Sequence, residues 1–281
     1  MATGVTPARR TLVANGLDLS YLEWGGAGAT PLVCVHGYTG SADAFSALAR
    51  SLGEGFHIVA PDVRGHGESG WSADEAYEYA DQANDLLCLV DALGFERFAL
   101  IGTSMGGIIS MAFALEQANR LTHLVLNDIG PDVEGGSGRI TQMVGSRPDS
   151  FKSLDDAMEY RRSVSPIVAG RTIADQRELA LGVLREGPDG VWRWKMDPAY
   201  IRRRVERGAP KRPDAWPVLA RLACPTMVVW GATSDVLSEA QARRMVEALP
   251  RGVLVEVPGV GHAPTLIEPV VLDALKRFLP S

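Results

Sequence analysis

Four short, almost continuously apolar runs recur in the first 130 residues, and segments with apolar residues at helical spacing separate them. The runs are PLVCVHG (31–37), FHIVAPD (56–62), FALIG (98–102) and LTHLVLND (121–128). Between them lie SADAFSALARSL (41–52), YEYADQANDLLCLVDALG (77–94) and MGGIISMAFALEQ (105–117). A strand apolar at every position is buried on both faces, so repeated strand–helix–strand units of this kind predict a mostly parallel sheet covered on both sides by helices. LSYLEW (19–24) alternates apolar and polar residues, which predicts a strand with one exposed face.

The alternation stops near Pro131 and resumes at PTMVVWG (225–231), a helix near 238–248, GVLVEVPG (252–259) and a closing helix, PVVLDALKRFL (269–279). Residues 131–215 hold GGSG, several helical stretches and the aromatic-basic segment VWRWKMDPAYIRRR, with no run resembling an interior strand. This predicts one α/β core, residues 1–130 and 216–281, interrupted by a helical insertion, 131–215.

Composition sets limits on what such a chain does. Of 281 residues 46% are hydrophobic and 22% charged, enough to bury a large core. A net charge of −6 argues against a nucleic-acid partner, which calls for a clustered basic face. The charge is uneven: the insertion holds 16 Lys and Arg against 13 Asp and Glu, whereas the remainder holds 12 against 21. Arg202, Arg203, Arg204 and Arg207 are expected to form a solvated helix face, although a cationic insertion also suits an anionic substrate. MATGVTPARRTLVANG lacks the apolar core of a leader, and no run approaches the roughly 18 apolar residues of a membrane span, so a cytoplasmic protein without a membrane partner is expected. Cys34, Cys88 and Cys224 are scattered, with no CxxC pair for metal or redox work, and read as buried free thiols. No cofactor or metal is implied, and a homo-oligomer stays open.

Against that background LIGTSMGGII (100–109) stands out. Gly102, Ser104 and Gly106 form G-x-S-x-G where a strand turns sharply into a helix, the context of a nucleophile elbow. Glycines two residues to either side relieve crowding at a strained serine, and the following helix offers free N–H groups to a developing oxyanion. A serine hydroxyl needs a base and a group to orient that base. Of five histidines, His57 and His123 lie inside predicted strands, His66 in a glycine-flanked loop and His36 at the end of a buried strand. His262, in VPGVGHAP, follows the last strand at the same C-terminal sheet edge as Ser104 and is read as the base. Two carboxylates satisfy the order Ser, Asp, His: Asp235 after PTMVVWG and Asp128 after LTHLVLN. Asp235 is favoured, because its loop and that of His262 leave consecutive strands; Asp128 is the alternative acid, otherwise expected to shape the start of the insertion.

HGYTGS (36–41), DVRGHGES (62–69), GTSMGG (102–107), WGATSD (230–235) and GVGHAP (259–264), in this order, resemble the α/β-hydrolase fold family over essentially the whole chain. The resemblance implies an eight-stranded, mostly parallel sheet with residues 131–215 as a helical cap between the sixth and seventh strands. It also implies Ser104 as nucleophile, Asp235 as acid, His262 as base, and the backbone N–H groups of Tyr38 and Met105 as the oxyanion hole. Dehalogenase and epoxide-hydrolase relatives carry aspartate at the elbow, so Ser104 argues against both. Hydrolases of carbon–carbon bonds in meta-cleavage products commonly show Asn before the nucleophile and Trp after the histidine, where this chain has Thr103 and Ala263. The same triad serves enol-lactonases and cofactor-free perhydrolases or haloperoxidases, and some members of the fold only bind ligands. A carboxylesterase acting through an acyl-enzyme on a small or medium-sized ester needs the fewest further assumptions. His36, Gly37, Ile129, Trp192 and Trp194, with Met105 and Tyr38, are expected near the substrate pocket, the two tryptophans as wall or as packing.

Overall fold

The computed structural model describes residues 6–26, 28–132 and 136–280. The GGSG run and the N-terminal stretch considered as a leader therefore lie partly outside the described residues. The main sheet has eight strands: β1 (Ala8–Ala14), β2 (Leu17–Trp24), β3 (Thr30–Val35), β4 (Phe56–Pro61), β5 (Phe98–Thr103), β6 (Leu121–Asn127), β10 (Thr226–Gly231) and β11 (Gly252–Val257). Their spatial order is β1-β2-β4-β3-β5-β6-β10-β11. The β1–β2 and β2–β4 pairs are antiparallel and the other five are parallel.

Alternate residues of the central strands feed two cores. Val33, Val35 and Leu100 join one apolar cluster with Leu86 and Leu89 of α2 (Tyr79–Ala92) and Ile108 and Ile109 of α3 (Met105–Gln117). Leu32, Cys34, Ala99 and Ile101 join the opposite cluster with Leu48 of α1 (Ser46–Leu52) and Val271 and Leu275 of α11 (Pro269–Phe278). Burial on both faces explains why these strands read as apolar runs rather than alternating ones. β1, which sequence patterning does not predict, is an edge strand: Arg9 reaches Asp62 at 2.7 Å and Asp43 at 3.0 Å, and Arg10 pairs with Glu23 on β2. Cys34 and Cys224 are buried thiols, but Cys88 is only half-buried, with Sγ 3.6 Å from Asn15 Oδ1.

Between β6 and β10 the chain forms α4 (Gly136–Gly145), α5 (Leu154–Val164), α6 (Pro166–Ala169), α7 (Ile173–Val183), α8 (Pro198–Arg207) and α9 (Trp216–Leu219). This stretch is not wholly helical. β7 (Ser150–Phe151), β8 (Leu184–Glu186) and β9 (Trp192–Trp194) make a small antiparallel sheet in the order β7-β9-β8. Phe151, Leu154, Ala157, Met158, Ala180, Val183 and Leu184 give the insertion its own apolar cluster. Two of the four basic residues of α8 find carboxylates, Arg202 contacting Glu75 at 2.6 Å and Arg203 pairing with Glu78; Arg207 is exposed, and the guanidinium of buried Arg204 lies 4.6 Å above the Tyr38 ring. α10 (Glu239–Ala248) completes the layer beside β10 and β11. Among the described residues no helix is long and apolar enough to cross a membrane.

Candidate active site

Ser104 sits between β5 and α3 with φ 52° and ψ −115°, a conformation that an L residue holds only when its surroundings enforce it. The flanking glycines are needed for close backbone approach. A Cβ at Gly102 would stand 2.5 Å from the Gly106 carbonyl oxygen, and one at Gly106 would stand 2.0 Å from that of Val35. A Cβ at Gly107 would meet Ile129 at 2.3 Å, so α3 is pressed against β3 on one side and against the chain leaving β6 on the other. The Ser104 amide donates to the Asn127 carbonyl at 3.0 Å, tying the elbow to β6.

His262 Nε2 lies 2.7 Å from Ser104 Oγ, and its Nδ1 lies 2.8 Å from Asp128 Oδ2. A proton on Nδ1, facing the carboxylate, leaves Nε2 bare to accept the serine proton. Asp128 is fully buried and takes φ +55°, which aspartate tolerates better than most side chains. Its Oδ1 accepts from the Gly231 amide at 3.0 Å, and its Oδ2 accepts from the Ser234 hydroxyl at 2.6 Å as well as from His262.

The carboxylate on His262 is therefore that of Asp128 and not that of the favoured Asp235. The physical reason is the path of the last loop. At Gly231 a Cβ would stand 2.6 Å from the Val260 carbonyl oxygen and 2.8 Å from that of Gly261, so the chain carrying His262 crosses directly over the end of β10. It comes down on the far side, at β6. The loop after β10 contributes Ser234, one residue earlier, whose hydroxyl serves Asp128 and accepts from the amides of Val236 and Leu237; Asp235 is exposed. Asn127 reinforces the crossing, its Nδ2 donating to the Pro264 carbonyl at 2.8 Å.

The stretch after β3 lies against the nucleophile: a Cβ at Gly37 would be 3.4 Å from Ser104 Cβ. Two buried histidines hold its carbonyls. His36 accepts the Val63 amide on Nε2 at 2.9 Å, so its Nδ1–H donates to the Gly37 carbonyl at 2.8 Å. His66 Nε2 donates to the Tyr38 carbonyl at 2.7 Å. Burial pulls both imidazoles down to about 4, so both are neutral near pH 7. These contacts fix the loop that carries Tyr38 beside Ser104. Met105, first residue of α3, has an amide without an intrahelical partner. Behind the loop Tyr200 packs on Tyr38 and His66, with ring centroids 5.3 and 5.0 Å apart, and its hydroxyl lies 3.4 Å from Met105 Sδ.

A cavity of about 380 Å³ opens from Ser104 and His262 to the insertion. His36, Gly37, Tyr38 and Trp194 reach it as expected; Met105, Ile129 and Trp192 do not. Met105 and Ile129 are buried beneath the elbow, and Trp192 packs on the insertion's own apolar cluster. Sequence patterning also leaves unmarked three arginines in the cavity wall, Arg147, Arg161 and Arg171. The net positive charge of the insertion is the only trace of them in the sequence.

A family model described as alpha/beta hydrolase fold matches residues 30–269. The chain is 33% identical over 270 residues to the 3-hydroxybutyrate-oligomer hydrolase of Cupriavidus necator, covering 92% of each. It is 28% identical over 255 residues to the esterase YbfF of Escherichia coli, covering 89% of this chain and 93% of the relative. A crystal structure of an alpha/beta hydrolase from Novosphingobium aromaticivorans superposes with a TM-score of 0.86 at 32% identity, over 99% of this chain and 98% of that one.

Proposed function

The chain belongs to the α/β hydrolase fold family, and from that premise we propose that it is a serine hydrolase of carboxylic esters that works through an acyl-enzyme. The observation that carries the reading is the unbroken hydrogen-bonded series Ser104–His262–Asp128 at the C-terminal sheet edge, open to a cavity. His262 Nε2 takes the proton of Ser104 as Oγ attacks the ester carbonyl. The oxyanion of the tetrahedral intermediate is received by the Tyr38 and Met105 amides, each a fixed dipole aimed where charge develops. The C–O bond to the alcohol then breaks, and the imidazolium returns the proton to the leaving oxygen. Water, activated by the same imidazole, repeats the sequence and releases the acid. Asp128 keeps the proton on Nδ1 and stabilises the imidazolium without becoming protonated. Residues 131–215 act as a cap that roofs the acyl site and sets its length.

The test is hydrolysis of p-nitrophenyl esters from acetate to decanoate, with a 3-hydroxybutyrate oligomer added to the panel because of the Cupriavidus relative's activity. Turnover by the wild type, its loss in Ser104→Ala, and a phosphonate adduct on the wild-type protein alone are expected. A folded wild type inert to every ester, or a mutant as active as the wild type, overturns the reading.

A further inference from the structure

The cavity wall opposite the nucleophile carries three arginines that lack a close ionic partner among the described residues, although Asp175 and Glu268 lie near enough to Arg171 to act on it. Arg147 follows α4, Arg161 lies on α5 and Arg171 lies between α6 and α7, and all three line the cavity that holds Ser104 and His262. Among the described residues none of the three forms an ion pair; of the other insertion arginines, Arg162, Arg185, Arg193, Arg202 and Arg203 do, and Arg177, Arg204, Arg207 and Arg212 do not, but none of these lines the cavity. The guanidinium of Arg147 stacks 4.4 Å from the Trp194 ring centroid, and among the described residues its side chain finds only the Met196 sulfur, at 3.8 Å, as a hydrogen-bond partner. Nε of Arg161 and Nε of Arg171 are buried without a hydrogen-bond partner among the described residues, and so is the hydroxyl of Tyr38, another residue of the cavity wall. Asp175 is turned to Arg50 at 2.9 Å and to the Thr172 hydroxyl, and Asp149 stays outside ion-pair reach of Arg147. Burial pulls Arg147 and Arg161 down to about 10, still charged at neutral pH.

Unpaired guanidinium groups on half-buried side chains lose part of their hydration, a cost that an ionic partner in the cavity offsets. A guanidinium fork matches the two oxygens of a carboxylate better than any neutral group. Met143, Val144, Ile167, Val168 and Leu179 add an apolar stretch to the same wall. Building on the ester hydrolase reading, we propose that the physiological substrate carries a free carboxylate on the chain that enters this cavity, bound by Arg147, Arg161 and Arg171 while its ester carbonyl lies at Ser104. The apolar residues take the methylene chain between the two ends. Specificity then comes from the charged terminus.

The test compares mono-p-nitrophenyl adipate with p-nitrophenyl heptanoate, a neutral ester of similar length, after subtraction of the enzyme-free rate. Wild type is expected to favour the charged ester in kcat/KM. The charged-to-neutral ratio is expected to fall about 10- to 100-fold in Arg161→Gln or Arg147→Gln, the loss typical of one charge-assisted contact. In parallel, adipate is titrated calorimetrically into Ser104→Ala with and without Arg161→Gln; binding that the second substitution abolishes is expected. Equal use of the two esters, or a ratio unmoved in both arginine variants, overturns the proposal and leaves the ester reading standing. Arginine-dependent adipate binding with no ester turned over supports the anionic site and overturns the ester reading instead.

Discussion

Replacing Asp128 by asparagine exchanges one oxygen for an amide nitrogen, and the surroundings allow no harmless placement of that nitrogen. If Oδ1 keeps accepting from the Gly231 amide at 3.0 Å, Nδ2 takes the place of Oδ2, 2.6 Å from the Ser234 hydroxyl and 2.8 Å from His262 Nδ1. Nδ2 is a donor, so Nδ1 must be bare to receive it. The ring proton moves to Nε2, where it points at Ser104 Oγ and removes the base. Ser234 cannot absorb the change, because its oxygen already accepts from Val236 and Leu237. The flipped amide is no better, since it sets an NH2 group against the Gly231 N–H. An exchange of triad acid for amide costs about 10⁴ in kcat when it imposes the wrong tautomer, equivalent to roughly 5.5 kcal/mol in the barrier. Asp128→Asn is therefore expected to lose about 10³- to 10⁴-fold in kcat on a p-nitrophenyl ester. Exposed Asp235 as asparagine is expected to stay within about threefold of wild type, as surface substitutions usually do. The assay is steady-state hydrolysis by both variants, with circular dichroism melts to confirm folding. An Asp128→Asn enzyme within tenfold of wild type, or an Asp235→Asn enzyme that falls as far, refutes the assignment.

Two further outcomes concern the frame around the site. Gly106→Ala puts a methyl 2.0 Å from the Val35 carbonyl oxygen and 2.9 Å from that of His36, backbone atoms that cannot swing aside; a loss above about 3 kcal/mol is expected, seen as a melting temperature lowered by roughly 10 °C or as insoluble protein. A melt within two or three degrees of wild type counts against this packing. The second outcome is a pH effect. The unfolded chain takes up the His36 and His66 protons near pH 6.5 and the folded chain only near 4, so between those values the unfolded state holds more protons and stability falls on acidification. At His36 the added proton would face the Val63 N–H. A loss approaching about 3 kcal/mol per histidine by pH 4 is expected in urea melts, with both ring resonances unmoved down to about pH 5 in NMR titrations; rings that titrate near 6.5 contradict the neutral assignment.

Local chemistry made Ser104 and His262 legible: a serine held between glycines at a strand–helix turn, and a glycine-bracketed histidine after the final apolar run. Interior strands were legible for a related reason, since burial on both faces leaves an unbroken apolar signature within a few residues. β1 has no such signature. Arg9 and Arg10 sit inside it, and what holds it is pairing with β2 and ion pairs to Asp62, Asp43 and Glu23, none of them adjacent in sequence. β7, β8 and β9 are two or three residues long, too short to show a period. The acid failed for a third reason. Neighbouring strands suggested neighbouring loops, but the loop after β11 crosses β10 and descends at β6, a path decided by the absence of a side chain at Gly231. Asp128 did carry a local signal, a carboxylate directly after a buried strand and before Ile129-Gly130, at a position that proves to need positive φ. What separates the two carboxylates is burial with donors in place: Asp128 has the Gly231 amide and the Ser234 hydroxyl waiting for it inside, and Asp235 lies exposed at the surface. A buried carboxylate stays charged only where such donors are already in place, so the end of β6 is where the charge that orients His262 can be kept.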